Sequence, residues 1–231
     1  MLFQLRKSGS LGSIVAAFIC LSAFGFMLGG CSGKKVNEDD PASVYQDAED
    51  EVAGGHYQVA LEKLKNVKNK FPYSKFALEA QIRIGDVHFL QDNYLEAAAA
   101  YEAFRDLHPK HEKIPYVMVR FGLSYFNDSP GTIQRDLTSA QKAVDAFNEY
   151  LKRFPSDALK EEALKNRSDA RKMLADKELE IANFYFKRDY FKSALGRYAK
   201  IMNLYPDTDA AKVAEKRLGF ISENKKENPT E

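Results

Sequence analysis

The chain has 231 residues, of which 45% are hydrophobic and 29% are charged, and its formal net charge is +1. This is ordinary globular composition, with room for one large domain or two small ones. The near-neutral balance does not predict the basic face that binds nucleic acid, so we expect no nucleic-acid partner. The two cysteines are Cys20 and Cys31, and the chain beyond them can form no internal disulfide.

Residues 1–30 have the pattern of an export signal peptide. Arg6 and Lys7 precede an apolar run at 14–28, and small residues follow before a cysteine in Leu28-Gly29-Gly30-Cys31. The apolar run has the length of a signal sequence and is short for a transmembrane helix. An ordinary secretory peptide and an uncleaved anchor are the alternatives.

The segment ending at Cys31 resembles the processing box of bacterial lipoproteins. That resemblance implies cleavage before Cys31 and covalent attachment of lipid to it, which would anchor the domain. Ser32 follows, and in enteric-type sorting rules this residue implies transfer to the outer membrane, facing the periplasm. We expect residues 31–41, which are polar after the cysteine, to form a flexible tether.

One spaced pattern then returns four times along the chain. It consists of a small residue, large apolar residues four and seven positions later, and a proline twelve positions later. The copies are Ala60–Leu64–Val67–Pro72, Ala97–Tyr101–Phe104–Pro109, Ala143–Phe147–Tyr150–Pro155 and Ala194–Tyr198–Ile201–Pro206. The apolar offsets place these side chains on one face of an α-helix, and the proline ends that helix. The sequence therefore predicts four amphipathic helices with these residues in the core.

Each of these helices has a predicted partner helix. A residue without a large side chain lies thirteen positions after each proline, where we expect a close helix crossing: Gly85, Gly122, Ser168 and Gly219. Helices are predicted at 42–53, 57–70, 75–91, 94–107, 115–127, 136–153, 157–187, 190–204 and 209–222, with the seventh either long or broken. The pattern matches the tetratricopeptide (TPR) repeat. The predicted fold is all-α, a TPR solenoid over 42–223 with about four helix pairs and a capping helix, followed by a frayed tail at 224–231.

No catalytic or metal-binding pattern stands out in the sequence. The four histidines lack the spacing of metal ligands, and no phosphate loop or nucleophile motif is found. We therefore expect neither an enzyme nor a cofactor apart from lipid on Cys31. In TPR folds the first helices of the pairs line a groove, and the corresponding residues here are Tyr45, Val52, Ile82, Phe89, Tyr116 and Phe126. Such a groove suits an extended peptide or a partner helix, or else some of these residues pack only against the next repeat.

Several stretches resemble the BamD family, the TPR lipoproteins of the outer-membrane β-barrel assembly machinery. They are NKFPYS at 69–74, HPKHEKIPYVMVRFGL at 108–123, ANFYFKR at 182–188 and LYPDT at 204–208. The resemblance implies a non-catalytic scaffold that docks on periplasmic domains of the barrel subunit BamA, meets unfolded outer-membrane proteins and can join other assembly lipoproteins. It also places Arg197 where the family has an arginine that pairs with a BamA acid. The alternatives are a pilotin-type TPR lipoprotein that escorts secretin subunits and a peptidoglycan-associated protein.

Overall fold

The computed structural model describes residues 36–227, with side chains to 223, and this range forms nine α-helices joined by turns. The helices are α1 (Pro41–Ala53), α2 (Tyr57–Lys70), α3 (Lys75–Leu90), α4 (Tyr94–Leu107), α5 (Ile114–Asp128), α6 (Thr138–Arg153), α7 (Lys160–Phe186), α8 (Phe191–Leu204) and α9 (Asp209–Glu227). Consecutive helices pack in pairs from α1–α2 to α7–α8, and α9 covers the last pair. The prediction of an all-α TPR solenoid with four pairs and a final capping helix is confirmed.

The long helix α7 answers the question that the sequence left open at 157–187. It is one continuous helix of 27 residues, whereas the other helices have between 13 and 19. The last helix, α9, continues to Glu227, four positions beyond the expected end of the solenoid at 223. The signal peptide predicted at 1–30, the lipidation site Cys31 and residues 228–231 lie outside the described range.

The second helix of every pair ends two positions before its proline, as predicted. The residues that follow these helices are Phe71, His108, Phe154 and Tyr205, with φ between −125° and −133°. The backbone of each of these residues lies outside the helical region, as expected before proline, because the proline ring clashes with a preceding helical residue. The prolines therefore fix where each repeat stops and the next begins.

Three of the four pairs have the same tight turn between their two helices. In each turn one residue adopts positive φ: Gly55 at 75°, Asp92 at 59° and Asp189 at 63°. Glycine and aspartate tolerate this left-handed conformation better than most residues do. The third pair differs, because residues 129–137 form a longer connection between α5 and α6.

The twelve small and apolar residues of the repeated pattern form the centre of the fold. Each of them is at most 1% exposed, which confirms the predicted core. From Ile82 onward most of the buried residues form two clusters, and α7 contributes to both. Ala163 and Ala170 belong to the first cluster, while Ala175 and Ala182 belong to the second. The length of α7 thus connects the core of the second and third pairs to the core of the last.

The predicted close crossings occur at two of the four expected positions. A Cβ added to Gly85 would lie 2.7 Å from the ring of Tyr101, and one added to Gly122 would lie 2.7 Å from the ring of Phe147. In contrast, a Cβ on Gly219 would meet no atom within 4 Å. The close crossing expected at Ser168 was wrong, because Ser168 is exposed on α7.

The residue that replaces Ser168 at the crossing of the last pair is Ala182. It precedes Tyr198 by the same number of positions that separates Gly85 from Tyr101, and it is fully buried. The tyrosine hydroxyls also make equivalent bonds. Tyr101 donates to Asp86 at 2.6 Å, and Tyr198 donates to Asn183 at 2.7 Å. The long α7 therefore shifts the crossing by about four turns from the position counted from the proline.

Residues 37–40, which we expected to belong to the flexible tether, are fastened to the domain. The backbone N–H of Asn37 donates to Ser43 Oγ at 2.9 Å, and Lys70 Nζ donates to the carbonyl of Glu38 at 2.7 Å. Asp40 caps α1 by accepting from two backbone N–H groups, and Pro41 begins the helix. These bonds hold this end of the expected tether against α1 and α2.

Enlarging Ala97 should destabilise the second pair. Ala97 is fully buried in α4, so an Ala97→Leu side chain has no space and should lower the free energy of unfolding by about 1–3 kcal/mol. The measurement is urea unfolding followed by circular dichroism. Ala103→Leu is the matched control, because Ala103 is exposed on the same helix. Equal midpoints for the two variants would contradict the packing described for Ala97.

Candidate partner-binding surfaces

Three of the six predicted groove residues line one open cavity. Tyr45 of α1, Ile82 of α3 and Tyr116 of α5 surround a space of about 490 Å³. The first helices of three successive pairs thus contribute one side chain each. The remaining lining residues are charged and were not predicted: Glu79, Arg83, Asp86 and Lys113.

Asp86 organises the polar side of this cavity, which we call the N-terminal groove. Its Oδ1 atom accepts hydrogen bonds from the hydroxyls of Tyr101 at 2.6 Å and Tyr116 at 2.7 Å. Burial, followed by the negative charge of Asp86, raises the pKa of both tyrosines. Both therefore stay protonated and keep donating, which fixes the Tyr116 ring at the groove wall.

Arg83 and Glu49 form the other charged contact of the groove. Arg83 Nε and Nη2 donate to the two carboxylate oxygens of Glu49 at 2.7 and 2.8 Å, and Nη1 lies 3.7 Å from Asp86 Oδ2. A two-point contact of this kind holds the guanidinium in one orientation. Arg83 is the residue after Ile82, and Asp86 lies one turn further along α3. A search for charges one turn from each predicted groove residue would have found Asp86.

The other three predicted groove residues do not line this cavity. Val52 is buried on α1. Phe89 is covered by the guanidinium of Arg120, whose central carbon lies 3.7 Å from the ring centroid. Phe126 is half-buried against the main core cluster. Phe89 thus follows the alternative in which a first-helix residue packs against the next repeat, because Arg120 belongs to the third pair.

Arg197 lies in a second, shallower surface depression at the other end of the chain. Its lining residues are Tyr185, Lys192, Ser193, Gly196, Arg197 and Lys200, and its volume is about 370 Å³. We call it the C-terminal basic depression. Three cations therefore share one small surface, and Lys192 and Lys200 were not singled out from the sequence. Both lie on α8, about two turns from each other, with Arg197 between them.

Glu178 of α7 holds two of these cations. Its carboxylate accepts from Arg197 Nη1 at 2.8 Å and from Lys200 Nζ at 2.6 Å. Burial by itself would raise the pKa of Glu178, but these two bonds outweigh it and keep the pKa below its usual value. The contact with Glu178 holds the Arg197 guanidinium in place. Because the Arg197 side chain is still 39% exposed, the guanidinium is also accessible to a partner.

The described part of the chain offers little for metal chemistry. Among residues 36–227, no group of three or more His, Cys, Asp or Glu side chains is placed to hold a metal ion. His108 and His111 instead pack on the Phe104 ring, at 4.9 and 5.2 Å between ring centroids. Within the same range, none of the helices combines the length and apolar character that a bilayer span requires.

Curated relatives of this chain are outer membrane protein assembly factors. The protein of that name, BamD, from Vibrio cholerae is 26% identical over 197 residues, which cover 80% of this chain and 82% of the relative. BamD from Neisseria gonorrhoeae is 28% identical over 174 residues, covering 71% of this chain and 65% of that protein. BamD from Caulobacter vibrioides is 23% identical over 223 residues, covering 94% and 70%.

Solved structures with a similar helical arrangement include two repeat proteins. A tetratricopeptide repeat protein from Parabacteroides merdae has a TM-score of 0.45 and 19% identity, covering 81% of this chain and 62% of that one. A thermophilic TPR protein from Thermus thermophilus has a TM-score of 0.42 and 15% identity, covering 78% and 99%.

The family comparison covers almost all of the described residues. A family model named YfiO and described as "Outer membrane lipoprotein" matches residues 37–228. This range begins where the chain becomes fastened to α1 and includes all nine helices of the described range. It therefore also contains both the N-terminal groove and the C-terminal basic depression. The chain belongs to the YfiO family of outer membrane lipoproteins.

Proposed function

We propose that this chain is a non-catalytic assembly factor for β-barrel outer-membrane proteins, held by lipid on Cys31 at the periplasmic face of the outer membrane. The observation that carries the proposal is the family match over 37–228, in a chain whose relatives are named outer membrane protein assembly factors. The TPR solenoid supports it, because stacked helix pairs create extended surfaces that bind other proteins. In this proposal the N-terminal groove and the C-terminal basic depression have separate partners.

The N-terminal groove would receive segments of unfolded outer-membrane proteins. Strands of such proteins alternate apolar and polar residues, so an extended segment presents apolar side chains on one side and polar ones on the other. The groove has a matching mixture, with Tyr45, Ile82 and Tyr116 as apolar surface and Arg83 and Lys113 as cations. Because Arg83 and Tyr116 are already fixed by hydrogen bonds, little side-chain freedom would be lost on binding.

The C-terminal basic depression would dock on a periplasmic domain of a BamA-like barrel subunit. Arginine suits an acidic partner because its planar guanidinium can donate two parallel bonds to a carboxylate. Glu178 on α7 orients Arg197 and Lys200 on α8, and Lys192 adds a third positive charge to the surface. The single negative charge of Glu178 does not neutralise these three cations, so the depression can still attract a carboxylate of a partner.

Charge reversal at Arg197 should weaken the docking. We expect Arg197→Glu to reduce recovery of the barrel subunit at least about tenfold, since a like-charge contact would replace an attractive one and also repel Glu178. The measurement is affinity purification of the lipidated protein from detergent-solubilised envelopes, with quantitative mass spectrometry of bound proteins. Lys165→Glu is the control, because Lys165 is an exposed cation of α7 outside the depression.

Three outcomes separate the functions considered for this chain. Recovery of a protein with periplasmic domains and a membrane barrel, lost in Arg197→Glu and kept in Lys165→Glu, supports the proposal. Equal recovery with both variants would remove the interface assignment of Arg197. Recovery of a secretin or of cell-wall fragments without a barrel subunit would favour the pilotin or the peptidoglycan-associated function instead.

A further inference from the structure

The turn that follows α2 has an unusual composition. The nine residues from Lys68 to Phe76, KNKFPYSKF, contain three lysines and three aromatic residues and no acidic residue. We call this segment the aromatic tip. It connects the first helix pair to the second, and the N-terminal groove and the C-terminal basic depression do not include it.

Tyr73 is the centre of the aromatic tip and is fully exposed. Its relative exposure is 103%, so its ring contributes nothing to the packing of the domain. The other three repeats provide an internal comparison, because the residue after the repeated proline is Lys110, Ser156 or Asp207. At the same position of the same turn, the other repeats thus have polar residues that suit water. The Tyr73 ring at this one turn is therefore free to contact a surface outside the domain.

The neighbours of Tyr73 have the character of residues that lie at a membrane surface. Lys70 and Lys75 place their ammonium groups 5.4 and 5.0 Å from the ring centroids of Phe71 and Phe76, both half-buried. Tyrosine and lysine are typical of the membrane–water interface, where the ring lies among headgroups and the ammonium reaches lipid phosphates. Lys70 is also paired with Asp39, so the positive charge of the tip comes mainly from the exposed Lys68 and Lys75.

The folded domain begins beside the aromatic tip, and the proposed lipid anchor is only a few residues before that point in the sequence. Lys70 donates to the carbonyl of Glu38 at 2.7 Å, so the start of the folded domain lies beside the tip. Cys31 precedes Glu38 by seven positions, a distance of at most about 25 Å for an extended chain. A lipid on Cys31 would therefore hold the aromatic tip within reach of the bilayer that it enters.

We propose that the aromatic tip rests on the anionic phospholipid surface into which the Cys31 lipid inserts. The Tyr73 ring lies at the level of the headgroups, and Lys68 and Lys75 face lipid phosphates. This inference rests on the lipid anchor of the proposed function. A second contact near the anchor would fix the direction in which the solenoid leaves the membrane, because attachment at one point does not set that direction.

The chain contains no tryptophan, which allows a direct test with one fluorophore at a time. We would prepare the lipidated full chain with Tyr73→Trp and reconstitute it in vesicles of phosphatidylethanolamine and phosphatidylglycerol. The control is Tyr190→Trp, since Tyr190 is 59% exposed in the turn of the last helix pair. In the Tyr73→Trp protein we expect emission shifted to shorter wavelength and at least twofold quenching by lipids with brominated acyl chains. The control should show neither effect.

Charge provides a second measurement in the same protein. Adding Lys68→Glu and Lys75→Glu to Tyr73→Trp should abolish most of the quenching, and so should vesicles of neutral phosphatidylcholine alone. Both lysines are exposed, so the folded domain should tolerate these substitutions. An unchanged melting temperature would show that the loss of quenching comes from the changed surface charge and that the domain has not unfolded.

The failures of the anchor and of the aromatic tip are distinguishable by vesicle flotation. Protein that floats but has an unquenched tryptophan at position 73 overturns the tip contact and leaves the lipid anchor standing. Protein that does not float overturns the anchor, and the inference about the tip with it. A tryptophan at position 73 that responds only when an unfolded outer-membrane protein is added would assign the tip to a polypeptide, which also overturns the membrane contact.

Discussion

Replacing Phe147 with alanine is expected to lower the free energy of unfolding by about 3–5 kcal/mol, which is the usual cost of removing a buried phenylalanine. Phe147 is fully buried in α6 and lies against the backbone of α5 at Gly122. Its loss would leave a cavity at the crossing of the third pair, which the rigid backbone of two helices cannot fill. For a domain of this size each kcal/mol corresponds to about 2–4 °C in Tm, so melting should fall by roughly 6–20 °C.

The control for Phe147 is a phenylalanine outside the core. Phe184 is 48% exposed on α7, and Phe184→Ala should cost less than about 1 kcal/mol. Both variants can be compared by urea unfolding and thermal melting monitored by circular dichroism. Similar losses in the two proteins would contradict the assignment of Phe147 to the centre of the third pair.

Gly122→Ala tests the same crossing from the opposite helix. Alanine favours a helix over glycine by about 1 kcal/mol, so the substitution would stabilise α5 if space allowed. A Cβ at this position would lie 2.7 Å from a ring that is itself fully buried. We therefore expect a net loss of about 1–3 kcal/mol. Phe147→Leu should reduce that loss in the double variant, because the two substitutions act on one contact.

The repeats could be predicted from the sequence because their determinants are local. Side chains four and seven positions apart share a helix face whatever surrounds them, and a proline ends a helix by its own geometry. The crossing at Ser168 could not be found in this way. Counting from a proline assumes a first helix of ordinary length, whereas α7 has 27 residues and brings Ala182 to the crossing instead.

The candidate groove was only partly predictable for a different reason. Val52 and Phe89 lie seven positions after Tyr45 and Ile82, so they share a helix face with them but lie about 10 Å further along the axis. What covers a residue at that depth depends on the neighbouring pair, as Arg120 covers Phe89. Periodicity within one helix predicts the face that a side chain occupies. Whether that position is open or covered is decided by tertiary packing.

Substituting Cys31 with serine should remove the protein from the outer membrane while leaving the domain folded. Lipidation needs the thiol, and several acyl chains hold a protein durably, since each buried CH₂ contributes about 0.8 kcal/mol. The aromatic tip could not replace the anchor, because Lys68 and Lys75 would contribute only about 1 kcal/mol each at an anionic surface. We expect Cys31→Ser protein in the soluble periplasmic fraction or as unprocessed precursor in the inner membrane.

Density-gradient fractionation with immunoblotting would measure this change, and Cys20→Ser is the matched control. Cys20 lies within the predicted signal peptide, so its replacement should leave the mature protein in the outer membrane. Outer-membrane recovery of Cys31→Ser equal to that of the control would contradict the lipid anchor. Weak binding of the soluble Cys31→Ser protein to anionic vesicles, lost when Lys68 and Lys75 are changed to glutamate, would then measure the aromatic tip alone. The two contacts thus separate by strength and by salt dependence, because screening weakens the lysine contacts and leaves acyl-chain insertion nearly unchanged.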